Sequence, residues 1–273
     1  MKIYIARFGG VCFGVQRAIE ISLNAVKRGK KVYSLGPLIH NRLVVEDLRK
    51  KGIITVNSIE EIKNKKVIIR SHGVHPKLLN TLKRKKFEII DATCPRVRRA
   101  QRYVEKLIKE GYYVIIIGEE DHPEVKGLLG YGGDQAAIYS RKMKVKKRKI
   151  GVVPQTTLDI ERLNEAVSHL MKNVLEMKIY NTICRATVLR IREAIRLAKK
   201  ADLMIVVGGK NSANTTRLYE VCKRYKPSYH IESIEEISLD WFKDVQSIGV
   251  TAGASTPKEQ VDTVAAFLKK KLK

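Results

Sequence analysis

The chain has 273 residues, 44% hydrophobic and only 6% aromatic, with 54 Lys and Arg against 28 Asp and Glu for a formal net charge of +26. That length supports one large domain or two to three small ones with real cores, and the longest apolar runs, Tyr113–Ile117 and Leu203–Val207, are strand-sized and too short to span a bilayer. The charge bears on partners rather than fold. No aromatic residues interleave with the basic runs at 63–66, 83–86 and 142–149 as a single-strand stacking platform requires, so charge alone does not make nucleic acid the main partner; a solvated Lys-rich surface is the bland alternative.

Residues 2–6 read as a strand. The segment Met1–Arg7 lacks the apolar core and cleavage site of a signal peptide, so a cytoplasmic protein with four reduced thiols is expected. Cys12 then opens a helical pattern through Val15, Ala18, Ile19, Ser22 and Val26, followed by a strand at 31–35. A strand at 67–70 runs into Ser71-His72-Gly73, and another spans 87–90. Cys94 opens a second helix through Val97, Ala100, Val104, Leu107 and Ile108, with a strand at 112–117. The strand 150–153 leads into Pro154-Gln155-Thr156-Thr157. Cys184 opens a third helix through Val188, Ile191, Ile195 and Ala198, with a strand at 203–207, and the strand 248–250 enters Thr251-Ala252-Gly253-Ala254-Ser255.

These elements repeat three times in one phase. Twenty-four residues after each of these cysteines stands Gly36, Gly118 or Gly208, and twenty-eight after each stands His40, His122 or Ser212. Helices alternating with apolar strands predict an α/β fold of three similar α/β domains with mainly parallel sheets around a pseudo-threefold axis. The units are expected at 13–94, 95–184 and 185–273, the last completed by the N-terminal strand within 1–12. In parallel sheets ligand groups gather where strands end and helices begin. An old triplication without a shared site is the competing reading, disfavoured because the matched positions are Cys, His, Ser and Thr rather than core residues.

Free cysteine is usually a small core hydrophobe; three in one phase of a repeat, at turns opening helices, point instead to a metal centre. No Cys-x-x-Cys pair exists, so zinc-finger and thioredoxin-like sites are unsupported. Three thiolates from distant segments fit either a Cys₃ zinc with an open position or an iron–sulfur cluster with one iron free. Cys222 lies outside the repeat and reads as packing, and His75, His169 and His230 read as structural or surface residues. His40, His72 and His122 with Ser212, Asn214 and Ser255 lie on loops that open helices, an arrangement suited to a phosphate-type anion. Glu124, two residues past His122, is the acidic side chain placed to donate a proton there; without the repeat it would read as a surface carboxylate. A zinc- or cluster-stabilised RNA-binding protein is the alternative from a different class.

The stretches Gly10-Val11-Cys12-Phe13-Gly14-Val15 with Arg17-Ala18, His40-Asn41-Arg42, Ser71-His72-Gly73-Val74, Asp91-Ala92-Thr93-Cys94-Pro95 and His122-Pro123-Glu124-Val125 occur in this order along the chain. They are followed by Gln155-Thr156-Thr157, Cys184-Arg185-Ala186-Thr187, the run from Val207 to Asn214 and the run from Gly249 to Ser255. Together they resemble the LytB family of 4-hydroxy-3-methylbut-2-enyl diphosphate reductases over nearly the whole chain. The resemblance implies a 4Fe–4S cluster held by Cys12, Cys94 and Cys184, with the fourth iron open to substrate. It implies two-electron removal of an allylic hydroxyl to give isopentenyl and dimethylallyl diphosphates in the non-mevalonate isoprenoid pathway. By position, His40, His72, Thr157, Ser212, Asn214 and Ser255 bind the diphosphate, His122 sits by the substrate hydroxyl and diphosphate, Glu124 delivers protons and Thr156 relays them. The partners implied are the small allylic diphosphate and an acidic electron donor such as a ferredoxin or flavodoxin, with no membrane. Two residues depart from the family pattern: Ala213 replaces a serine, removing one side-chain contact to phosphate, and Ile191 replaces a glutamine, which puts the polar contacts of its helix in doubt.

Overall fold

The computed structural model describes residues 1–26 and 31–272. In chain order the strands are β1 (Lys2–Ile5), β2 (Val32–Leu35), β3 (Ile53–Val56), β4 (Lys66–Ile69), β5 (Glu88–Asp91), β6 (Tyr113–Ile117), β7 (Ala136–Ile138), β8 (Lys149–Pro154), β9 (Glu176–Ile179), β10 (Leu203–Val207), β11 (Ser228–Ile231) and β12 (Ser247–Ala252). The α-helices are α1 (Phe13–Val26), α2 (Arg42–Lys50), α3 (Pro76–Arg84), α4 (Pro95–Lys109), α5 (Pro123–Gly132), α6 (Ile160–Met171), α7 (Arg185–Lys200), α8 (Ala213–Lys223) and α9 (Lys258–Lys271). Among the described residues no helix is long and apolar enough to cross a membrane.

The strands form three four-stranded sheets with one order: β3-β2-β4-β5, β7-β6-β8-β9 and β11-β10-β12-β1. Every strand pairing is parallel. The fold is thus α/β, with three similar parallel sheets and their helices. In the third sheet the place held by β5 and β9 in the others is taken by the N-terminal strand, with Lys2 opposite Ser247 and Ile5 opposite Val250. Parallel sheets bury both faces of their inner strands, which therefore read as continuous apolar runs: β10 (LMIVV) and β12 (SIGVTA) are buried along their whole length. The outer strands β1 and β5 alternate only weakly and stay half-exposed.

The chain divides into two compact units. One comprises Met1–Gln16, Ile39–Asp47 and Arg185–Lys273, the other Arg17–Leu38 and Leu48–Cys184. The core of the first unit lies on both faces of its sheet: Ile205, Val207, Ile248, Val250, Val264 and Leu268 on one, Met204, Val206, Ala194, Ala198, Leu218 and Cys222 on the other. In the second unit, Val114, Ile116, Leu107 and Leu128 pack on one face of the β6–β8 sheet and Ile115, Ile117, Val152 and Leu163 on the other. Burying each such side chain contributes about 1.5–3 kcal/mol. That anchors the strand ends on which the polar residues stand.

Candidate active site

Three cysteines occupy one position of the repeat, immediately before α1, α4 and α7, and each is tied to the end of a strand by the same backbone bond. The Cys12 N–H donates to the Ala254 carbonyl at 3.0 Å, Cys94 to Ser71 at 2.9 Å and Cys184 to Thr156 at 2.9 Å. The turn into two of them is an Asx turn, with Asp91 Oδ1 accepting from Thr93 N–H at 2.9 Å and Asn181 Oδ1 from Ile183 N–H at 3.1 Å. All three are free thiols and half-buried. Cys222 is fully buried in the core under α8, and burial pushes its thiol up to about 12, the behaviour of an inert packing residue. Each of the three thiols thus stands at the start of a helix, and thiolate sulfur is the donor type that iron–sulfur clusters take.

In the second unit the reactive groups stand at the ends of β6 and β8. His122 is the N-cap of α5, Pro123 its first residue and Glu124 its second; His122 Nδ1 accepts from the Glu124 N–H at 3.2 Å. Proline at this position costs no hydrogen bond and presets the helical backbone. Glu124 is 2% exposed, and both its oxygens are used: Oε1 accepts from the Thr156 N–H and Oε2 from the Thr156 hydroxyl, each at 2.7 Å. Burial pushes its carboxyl up to about 7, against the opposing pull of the two Thr156 bonds. The helix N-terminus also favours the ionised form, yet burial wins, so the group holds its proton up to neutrality. The His72 ring meets that of His122 edge-on, with centroids 5.4 Å apart. Thr157 Oγ1 accepts from Gln155 Nε2 at 2.9 Å, while Gln155 Oε1 accepts from the Glu119 N–H at 3.0 Å.

In the first unit the corresponding positions carry neutral donors. Ser212 caps α8, accepting from the Thr215 N–H at 3.4 Å, and Asn214 is its second helical residue. Asn214 is 9% exposed and its Nδ2 has no hydrogen-bond partner, a buried donor costing roughly 1–3 kcal/mol until something accepts from it. Ser255 Oγ donates to the His40 carbonyl at 2.8 Å. The glycine turn ahead of Ser212 approaches the same segment so closely that a Cβ on Gly209 would lie 2.7 Å from the His40 carbonyl oxygen. The nearby lysine is turned to acids instead of the pocket: Lys210 N–H donates to Glu232 Oε1 at 2.8 Å and its ammonium pairs with Glu236.

Each unit therefore brings its own share of the expected site residues together: His40, Ser212, Asn214 and Ser255 in the first, and His72, His122, Glu124, Thr156 and Thr157 in the second. Four residues outside the expected site brace these loops. Gln155 is 2% exposed and spans from the β8 end to residue 119. Arg190 is 4% exposed and donates from Nη2 to the Gly10 carbonyl at 2.7 Å, fixing the turn before Cys12. His230, read as bland, contacts the Gly208 carbonyl through Nε2 at 2.9 Å, and burial holds it below the usual imidazole range. Gln260 accepts from Asn41 Nδ2 at 3.2 Å, pinning the residue after His40. Gln155 opens the Gln-Thr-Thr run, which is a local signal; the other three carry none. Ile191 packs against the core under α7, so an apolar residue is accommodated there. Ala213 is the first residue of α8.

A family model described as LytB protein matches residues 3–269. A relative in Pelobacter propionicus, named 4-hydroxy-3-methylbut-2-enyl diphosphate reductase, is 45% identical over 269 residues, covering 97% of this chain and 96% of the relative. The same name is carried by a relative in Trichlorobacter lovleyi, 43% identical over 269 residues with the same two coverages. Among solved structures, the E-1-hydroxy-2-methyl-but-2-enyl-4-diphosphate reductase of Plasmodium falciparum superposes with a TM-score of 0.94 at 29% identity, over 98% of this chain and 88% of that one. A second, described as (E)-4-hydroxy-3-methyl-but-2-enyl diphosphate reductase, the terminal enzyme of the non-mevalonate pathway, is 39% identical with a TM-score of 0.71, over 99% of this chain and 100% of that one.

Proposed function

Because the chain belongs to the LytB family of 4-hydroxy-3-methylbut-2-enyl diphosphate reductases, we propose that it reductively removes the allylic hydroxyl of 4-hydroxy-3-methylbut-2-enyl diphosphate, giving isopentenyl and dimethylallyl diphosphates. Cys12, Cys94 and Cys184 would hold a 4Fe–4S cluster, which would supply the electrons for the reduction. The repeat 13–94, 95–184 and 185–273 completed by 1–12 is part of this reading, each repeat contributing one thiol.

The chemistry left to the side chains is proton delivery and anion binding. Hydroxide leaves poorly, so the oxygen must be protonated to depart as water, and the allylic carbon then takes a second proton. Glu124 is the donor. The observation that carries this reading is its buried carboxyl, held by Thr156 and pushed up to about 7. A carboxyl of that pKa keeps about half of its population protonated at neutral pH, and the Thr156 hydroxyl passes the replacement proton to it. His122, capping the same helix, stands by the substrate hydroxyl. The diphosphate is taken by His40, His72, Thr157, Ser212, Asn214 and Ser255. Neutral donors suffice because helix N-termini add their own positive potential. The same reading places the protein in the cytoplasm and draws its electrons from an acidic carrier protein.

The deciding experiment is Glu124→Gln, assayed with cluster content confirmed by iron and sulfide analysis. Retained cluster and substrate binding with turnover down by about 10²-fold or more supports the assignment. Near-normal turnover assigns the proton to another group.

A further inference from the structure

Reductive dehydroxylation consumes two electrons and two protons, turning the carbon–oxygen bond into a carbon–hydrogen bond and releasing water. The side chains supply the protons but not the electrons, so a reductant must approach a cluster ligand. Resting on the reading of Cys12 as such a ligand, the structure points to where that approach occurs.

Residues 7–12, between β1 and α1, form a turn held through its own backbone groups. The Phe8 N–H donates to Glu193 Oε2 at 2.7 Å, the Gly10 carbonyl accepts from Arg190 at 2.7 Å, and the Cys12 N–H donates to Ala254 at 3.0 Å. The aromatic rings within and just after the turn are left outside. Phe8 is 48% exposed, and Phe13, the residue after Cys12, is 72% exposed. A rigid loop that leaves such rings in water forgoes their burial, and Phe and Arg are enriched where proteins meet. Beside Phe8 lies an open groove of about 400 Å³ lined by Arg7, Phe8, Leu189, Arg192, Glu193 and Arg196. Leu189, Arg192 and Arg196 recur at the helical period and form one stripe of α7, the helix that begins directly after Cys184. Glu193, the acid among these lining residues, is spent inward. Its side chain is 6% exposed, and it accepts from Phe8 and pairs with Arg196 at 3.6 Å. Among the described residues neither Arg7 nor Arg192 has an ion-pair partner, and both are exposed. The face therefore presents an apolar centre rimmed by guanidinium groups, which pair with carboxylates in bidentate fashion.

We propose that the Arg7–Phe8 turn and the Leu189–Arg192–Arg196 stripe of α7 form the docking surface for an acidic one-electron carrier protein, which gives up one electron in each of two successive encounters. A small, charge-complementary contact suits a partner that must leave after each transfer. A nucleic acid would also meet arginine and phenylalanine favourably, but it supplies no electrons, and the position beside the Cys12 turn favours the carrier.

The test compares holoenzyme variants Arg7→Glu/Arg192→Glu and Phe8→Ala with the parent and with Arg7→Lys/Arg192→Lys. Each is assayed with a reduced acidic ferredoxin and, separately, with reduced methyl viologen. With ferredoxin, kcat/KM of the charge-reversed protein should fall at least about tenfold and lose its salt dependence. With methyl viologen it should stay within about twofold, with iron and sulfide unchanged, and the lysine variant should regain most of the ferredoxin activity. Equal losses with both reductants, no loss with ferredoxin, or selective loss of affinity for a single-stranded RNA oligonucleotide would each overturn the docking surface. Parent protein that holds no iron or sulfide would overturn the reading of function itself, a failure distinct from these.

Discussion

Glu124 and Asn214 stand at the same place in two repeats, each thirty residues after a cysteine, each the second residue of a helix capped by the residue two before it. Both are buried. Yet Glu124 has both oxygens satisfied by Thr156, whereas the Asn214 amide keeps an unpartnered donor. One backbone frame thus delivers a buried N2 side chain to a strand end twice. The facing loop decides what that side chain can do. After β8 it presents a threonine that donates twice and leaves a carboxyl buried enough to hold a proton. After β12 it presents Ala254 and Ser255, and the serine hydroxyl is given to His40. A buried carboxyl in one repeat and a buried amide in another need no change of fold.

The largest expected effect breaks the frame itself. Replacing Cys12, Cys94 or Cys184 with serine should abolish stable cluster assembly, read as iron and sulfide per chain, while Cys222→Ser should keep it; a Cys222→Ser protein without cluster would place the fourth thiol in the centre. Next comes the exchange at Glu124. The Gln variant keeps the hydrogen-bonding shape but not the proton, and should lose about 10²-fold or more in turnover. At the equivalent position, Asn214→Ala should weaken substrate binding by about 1–3 kcal/mol, as should Ser212→Ala, measured as dissociation constants; unchanged affinity in both would remove the anion role from α8.

The comparison also predicts a pH dependence. A carboxyl raised to about 7 in the folded protein gives its protonated form an advantage. The associated stability is fully present below the unfolded pKa near 4.5 and is lost as pH rises through about 7. Relative to Glu124→Gln, the parent should therefore lose on the order of 3 kcal/mol between pH 4.5 and 8, read by urea denaturation of matched cluster-loaded samples. Turnover should fall over the same window as the acid ionises. Thr156→Val, which removes one of the bonds favouring the charged form, should move that alkaline limb upward, and a limb that stays put would detach Thr156 from the acid.

The inner strands β2, β4, β6, β8, β10 and β12 were legible because strands buried on both faces must be apolar throughout. The outer strands β3, β7, β9 and β11 were not. Each has only three or four residues: β9 (EMKI) and β11 (SYHI) are of mixed polarity and owe their pairing to a neighbour, while β3 (IITV) and β7 (AAI) are largely apolar runs too short to show a period.

The repeat phase by itself set apart Cys12, Cys94 and Cys184 from Cys222, and placed Glu124 beside His122 at a helix start, because spacing along the chain survives folding unchanged. It also pointed to Thr156 through its motif. Tertiary structure alone decided that both Thr156 donors meet Glu124, that burial outweighs them, and that Arg190, His230 and Gln260 brace turns many residues away in sequence. A pKa and a brace depend on how much water is excluded and which distant groups come within about 3 Å. Neither quantity is written in any local run of residues.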